Sequence, residues 1–234
     1  GFGPFENGDV PINAINRLTD CLDQLDPDYY YLLLNSGLHL PLGNGSDHPG
    51  RPVGCARMYA LVKDSFSYEA WVEGIKAGRT FVTSGPLLTL TVNDQAIGSR
   101  LNAKRGDALR VAAKAVSRRP IGNLQIVSNG EIIRTISTDK REASLEIVCN
   151  ADSSRWFVAR CSPSNVFAPL ETAEDYFTAR PDIAHTSAVY AEVDGEPAIQ
   201  PEAVHIVIDR MRRHVTEIGL RGVFATDTQR QEAI

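Results

Sequence analysis

The sequence is short of the residues that mark many small-domain chemistries. Its four cysteines (Cys21, Cys55, Cys149, Cys161) are widely spaced and form no C-x-x-C pair, which argues against a zinc knuckle or a redox dithiol. Cys149 and Cys161 fall on consecutive predicted strands, so either a disulfide between them or two free thiols is consistent with the pattern. No apolar run approaches the roughly 20 residues that cross a bilayer. The N-terminus lacks a basic stretch followed by an apolar core, so no signal peptide is read. There is no basic excess either: 24 Lys and Arg against 29 Asp and Glu give a net charge of −5, which argues against broad electrostatic capture of nucleic acid. Arg118-Arg119 and Arg210, Arg212 and Arg213 read as solvated surface. The expectation is a soluble chain with neither a nucleic-acid nor a membrane partner. No repeat or low-complexity tract is present. The chain opens on Gly1-Phe2-Gly3-Pro4-Phe5 rather than on Met, and so reads as a piece of something longer.

What is present suffices for a core, since 43% of residues are hydrophobic and 23% charged, ordinary values for a globular protein. Residues 11–37 carry apolar positions at helical spacing (Ile12, Ile15, Leu18, Leu22, Leu25, then Tyr30, Leu33, Leu34), divided by Pro27 and stopped by Gly37. A glycine loop, Gly43-Asn44-Gly45-Ser46-Asp47-His48-Pro49-Gly50, leads to a strand from Cys55 to Val62. Ser67 is read as the N-cap of a helix whose C′ residue is Gly78. Beyond residue 79 the period shortens to short β-rich runs: 80–83, 87–92, 108–116, 124–127, 131–136, 145–149 and 156–161. Turn signals separate them at Asn93-Asp94, Arg105-Gly106-Asp107 and Ser128-Asn129-Gly130, the last a type I′ hairpin signal. After a polar crossing at 162–184, a strand runs from Ser187 to Val193. Pro201 then opens a helix to Ile218 with Val204, Ile208, Met211, Val215 and Ile218 on one stripe, and a short helix follows from Asp227.

The fold class expected is therefore α/β plus all-β, in three pieces. Residues 1–86 form an α/β layer, 87–163 an antiparallel Ig-like β-sandwich, and 164–234 a crossing, strand and helices that return to the α/β layer.

Three segments together resemble one family. Tyr29-Tyr30-Tyr31-Leu32-Leu33-Leu34-Asn35-Ser36-Gly37 with Leu40-Pro41 and Gly45-Ser46-Asp47 is the first. Phe66-Ser67-Tyr68-Glu69-Ala70-Trp71 running into Ala77-Gly78-Arg79-Thr80-Phe81-Val82-Thr83-Ser84-Gly85-Pro86-Leu87-Leu88 is the second, and Ala184-His185-Thr186-Ser187-Ala188-Val189-Tyr190 the third. Their order and spacing are similar to those of the CehA/McbA-like metallohydrolases, a bacterial branch of the PHP (polymerase and histidinol phosphatase) superfamily. The resemblance implies part of a distorted (β/α) barrel, whose strand ends hold divalent metal, zinc or manganese. It also implies a β-sandwich after the last barrel motif. The activity implied is hydrolysis of a phosphoester, ester or carbamate in a small-molecule substrate.

Asp47 matches the closing metal-site aspartate of that family. A carboxylate there would ligate a divalent cation, although Asp also caps glycine turns. His48 follows immediately, where the superfamily often spaces Asp and His by one residue, so it is read either as a ligand-rim residue or as surface. Arg57 and Arg79 have the guanidinium that binds an anionic substrate, and His185 either lines the same mouth or is a hydrogen-bonded structural histidine. Arg79 equally suits the C-terminus of the helix before it. His39 has no partner visible in the sequence, and His205 and His214 read as the polar flank of the last helix. The chain holds no H-x-H pair, the motif with which PHP enzymes open. A catalytic zinc needs about three protein ligands, so this chain alone is expected to bind catalytic metal poorly. The alternative reading is a non-catalytic ligand- or protein-binding module. Under either reading, open sheet edges would favour a homo-oligomer.

Overall fold

The computed structural model describes residues 27–45, 53–163, 182–223 and 225–233. Helix α1 (Pro27–Asn35) starts at its proline and is closed by a Schellman turn. In that turn Leu38 N–H donates to Leu33 O (3.1 Å), Gly37 N–H donates to Leu34 O (3.0 Å), and Gly37 takes φ +87°. Strand β1 (Arg57–Ala60) follows, then α2 (Tyr68–Lys76), whose first turn is capped by Ser67 accepting from Ala70 N–H. The remaining strands are β2 (Thr80–Thr83), β3 (Leu87–Val92), β4 (Gln95–Ala96), β5 (Arg100–Ala103), β6 (Ala108–Val116), β7 (Gly122–Ser128), β8 (Glu131–Thr138), β9 (Glu142–Asn150), β10 (Arg155–Ser162), β11 (Ala184–Thr186) and β12 (Val189–Val193). Helices α3 (Pro201–Arg221) and α4 (Asp227–Ala233) end the chain. Asn129 and Gly130 both take positive φ (51° and 91°), as a type I′ turn between β7 and β8 requires.

These elements make two sheets, almost wholly antiparallel, with helices on one side. The smaller sheet has the order β4-β3-β6-β9. The larger, eight-stranded sheet draws strands from all three sequence segments: β1 and β2, then β5, β7, β8 and β10, then β11 and β12. Strand β11 inserts between β2 and β10, so the C-terminal part does return to the N-terminal one. The strand pair β1–β2 is antiparallel rather than the parallel pair of a (β/α) barrel, and the described strands close no barrel. Only β12 with β5 is parallel among the described pairs.

Strand periodicity sorts residues between two cores. Along β10, Phe157, Ala159 and Cys161 face the small sheet and pack with Leu90, Val111, Leu124 and Val189. Trp156 and Val158 point the other way, against Tyr30, Tyr31, Leu34 and Val207 of the helices. Both faces of the strand are therefore buried, and the molecule has three layers: small sheet, large sheet, helices. The buried face of α3 is not the stripe expected from the sequence. Ala203 and Val207 are its buried residues, and Ile208 and Ile218 stay 37% exposed.

Candidate functional site

The site is built around a break in one strand. Strands β11 and β12 lie along the same edge of β10, opposite β7. From Arg160–His185 to Phe157–Val189 the β10 side advances three residues and its partner four, which is a bulge at Ser187 and Ala188. The hydroxyl of Thr186 repairs the ladder by accepting from Ala159 N–H (3.0 Å). Ser187 is turned toward the chain that enters the glycine loop. Its Oγ accepts from Leu42 N–H (2.9 Å) and lies 2.7 Å from Thr80 Oγ1, which donates to Leu42 O (2.7 Å). With the Thr80 proton committed to Leu42, the Ser187 hydroxyl donates to Thr80. Leu42 is thereby bound at both its N–H and its C=O, on fully buried partners.

His185 sits two residues before the bulge and is fully buried. Its Nδ1 is 2.8 Å from Thr186 O, so that nitrogen carries the proton. Nε2 then accepts from the Tyr31 hydroxyl (2.8 Å), and that hydroxyl in turn accepts from Arg160 Nη1 (3.3 Å). Arg160 Nε donates to Gln125 Oε1 (2.7 Å). The side chains Met58, Val82, His185, Arg160, Gln125 and Thr135 are consecutive cross-strand partners, a single row on the helix side of the sheet. Burial, with a smaller push from the Arg160 charge, holds the His185 imidazole down to about 3. Burial likewise raises the Tyr31 phenol to about 12 against the pull of Arg160. At neutral pH the row thus contains a neutral imidazole and one cation, with the neutral Tyr31 phenol of α1 between them.

A cleft of ≈180 Å³ opens beside the bulge, lined by His39, Pro41, Lys76, Gly78, Arg100, Ser187 and Tyr190 among others. This is below the roughly 300 Å³ at which ligand pockets begin. His39 does have a partner, since its ring lies 4.2 Å from that of Tyr190. Partial burial, then the Arg100 charge, lower its pKa, while Glu192 opposes them. The Arg100 charge is countered by Glu192, which accepts from Nε and Nη2 at 2.8 and 2.6 Å.

Of the expected site residues, Arg57, Arg79 and His185 are among the described ones, and these three do not share one place. Asp47 and His48 lie outside the described residues. Arg57 is in register with Thr83, Ala184 and Cys161, which places it on the sandwich side of the sheet, the face opposite His185. Its Nε is buried with no hydrogen-bond partner among the described residues. Arg79 is engaged by its own helix: Nη2 donates to Glu73 (3.3 Å) and Nε donates to Leu61 O (3.3 Å). Of the two readings of Arg79, the helix-end role is the one its contacts match. His185 takes the structural role, shut away from solvent. Cys149 and Cys161 are free thiols, Cys161 buried and Cys149 half-buried. Among the described residues no group of three His, Cys, Asp or Glu is placed to hold a metal, and no helix is long and apolar enough to cross a membrane. Sequence reasoning missed Tyr31, Arg160, Gln125 and Tyr190 as members of the site. Each falls on a strand or helix at a position whose face only the tertiary pairing settles.

No protein-family model matches the chain, and no curated protein does. Among solved structures, it is similar to the CARDB domain of a Pyrococcus furiosus protein. The similarity covers 47% of this chain and 97% of that one, at 14% identity and a TM-score of 0.29.

Proposed function

We propose that this chain is the C-terminal part of a metal-dependent hydrolase of the PHP superfamily, acting on a phosphoester, ester or carbamate. One observation carries the reading. The three segments that resemble the CehA/McbA-like branch each line the cleft bounded by Pro41, Gly78 and Ser187, and Thr80 of the second with Ser187 of the third clamps Leu42, which follows Pro41 of the first. Leu42 leads into the glycine loop that bears Asp47. The clamp supports a role in presenting that loop from a rigid wall, which is what an aspartate ligand needs. In this reading Asp47 contributes one ligand to a zinc or manganese ion. The metal supplies Lewis-acid activation of a water, and the remaining ligands come from outside these 234 residues. The finer architecture, a partial PHP barrel segment joined to an Ig-like sandwich, belongs to the same proposal.

The reading frame upstream of Gly1 tests it first. An in-frame H-x-H segment supports the hydrolase, whereas a stop codon followed by a local start sinks it in favour of a binding module. Calorimetric titration with zinc or manganese is the second test. The longer chain is expected to bind stoichiometrically and to lose at least tenfold in affinity with Asp47→Ala, while the 234-residue chain binds weakly. Tight stoichiometric binding by the 234-residue chain overturns the claim that ligands lie outside it.

A further inference from the structure

The cleft beside the bulge is lined by hydrogen-bond donors that the fold itself does not use. Tyr190 is the clearest. It is 6% exposed, and register places it on the helix side of the large sheet, opposite Trp156 of β10 and Arg100 of β5. Burial raises its phenol and the Arg100 charge opposes that rise, so the guanidinium lies near the hydroxyl. The ring rests on His39, yet the hydroxyl donates to nothing among the described residues. A buried tyrosine usually finds a partner for that group.

Arg100 is only half used. Its Nε and Nη2 both donate to one oxygen of Glu192, Oε1, which leaves Nη1 without a partner among the described residues. Lys76, the last residue of α2, lines the same cleft and brings a second cation. Glu192 offsets one of the two. His39 adds no charge at pH 7, since partial burial and then the Arg100 charge lower its pKa. The Ser187 hydroxyl is already engaged by Leu42 and Thr80. The cleft therefore combines three donor groups with one net positive charge. Its ≈180 Å³ is several times the roughly 30 Å³ of a single water. A single negative charge shared by two oxygens matches this set, because a guanidinium edge and a hydroxyl both donate to carboxylate oxygens. We propose that the cleft binds the carboxylate of a small organic acid, held by Arg100 Nη1, the Tyr190 hydroxyl and Lys76 Nζ. The site needs no metal on the loop beyond Leu42, so its failure leaves the hydrolase reading standing, and the converse holds.

Sodium acetate is the probe. It is titrated into the chain at pH 7 while the His39 ring signals, assigned by their loss in His39→Gln, are followed by NMR at an ionic strength fixed with chloride. A saturable shift in the millimolar range is expected. The His39 pKa should rise by about 0.5 on binding, because the bound charge offsets that of Arg100, and chloride alone should produce neither effect. Tyr190→Phe keeps the buried ring and should weaken binding about fivefold, the value of one hydrogen bond. Arg100→Gln with Glu192→Gln, which removes the ion pair whole, should abolish it. A shift that grows linearly with salt, or full affinity in Tyr190→Phe, overturns the inference. Inorganic phosphate binding more tightly than acetate overturns the carboxylate assignment. If either buried variant loses its amide dispersion, Lys76→Gln decides, since that side chain is exposed at the end of a helix. It should weaken acetate about threefold, and unchanged affinity overturns the inference.

Discussion

Tyr31 and His185 stand 154 positions apart in sequence, and the phenol of one donates to Nε2 of the other at 2.8 Å inside the core. That bond joins the first and third of the segments that carry the family resemblance. It also fixes the imidazole tautomer, because the other ring nitrogen is committed to Thr186 O. Removing the Tyr31 hydroxyl takes away the donor to His185 Nε2 and one acceptor of Arg160.

Tyr31→Phe keeps the ring and its packing on Trp156, 5.2 Å away between centroids. The loss is therefore polar, about 1–3 kcal/mol for a buried group left unsatisfied. Urea unfolding followed by tryptophan emission measures it. A change below about 0.5 kcal/mol would show that the hydroxyl contributes nothing net.

Stability should also depend on pH through His185. Its folded value of about 3 lies below the 6.5 of an unfolded histidine, so below 6.5 the unfolded chain takes up a proton that the folded one refuses. Stability is thus full above 6.5 and falls as pH drops from 6.5 toward 3, by up to about 1.4 kcal/mol per pH unit. His185→Gln has no such proton to take up. It should be less stable than the parent at pH 7, yet lose less between pH 6.5 and pH 5, before most carboxylates titrate. Parallel pH profiles for the two proteins would refute the assignment.

Two glycines with nearly the same backbone give a controlled comparison. Gly98 (φ +80°) and Gly106 (φ +88°) both occupy the left-handed region. A Cβ on Gly98 would press on Ala77 O and stand 2.6 Å from the Gly78 carbonyl carbon, whereas one on Gly106 meets nothing within 4 Å. Gly106→Ala should cost about 1–2 kcal/mol, the left-handed penalty alone. Gly98→Ala should cost that and several kcal/mol more, because backbone must move. Thermal melts of the two variants decide, and equal costs would mean that the contact between the α2 C-terminus and Gly98 yields easily.

Thiol labelling reads the sandwich core. Burial pushes Cys161 up to about 12, so at pH 8 only about one molecule in ten thousand holds the reactive thiolate. Cys149 is also raised, by partial burial, but remains half-exposed. A disulfide-exchange reagent should label Cys149 before Cys161, and reach Cys161 only with denaturant. Prompt labelling of Cys161 in the folded chain would contradict its burial.

Local signals in the sequence were accurate where the chemistry itself is local. Asn129-Gly130, Gly37, Gly78 and Ser67 each demand a backbone conformation or a cap within three or four residues, and each adopts it. Strand β5 escaped notice because Arg100-Leu101-Asn102-Ala103 has only one large apolar residue. Its parallel pairing with β12 is a long-range fact. The face of α3 was misjudged for the same kind of reason: helical spacing marks an apolar stripe, and which side is buried depends on where α1 lies. For the site, residue type pointed to Arg57, Arg79 and His185, but the sheet register puts Arg57 and His185 on opposite faces. The second and third of the quoted segments meet in space, through Thr80 and Ser187, at the backbone of Leu42. That Ser187, Thr80 and Tyr31 join them is a long-range fact which no local pattern marks.

The insertion of β11 between β2 and β10 bears on how the chain can be made. While the polypeptide emerges N-terminus first, residues 80–83 and 155–162 are both available long before residues 184–186, their common neighbour. Until then each of those strands has an unsatisfied hydrogen-bonding edge. The large sheet is a late product of synthesis, closed from its middle by a three-residue strand. Such distant closure is slow and leaves sticky intermediates. A chain cut short between residues 163 and 183 would present two open edges and no strand to join them.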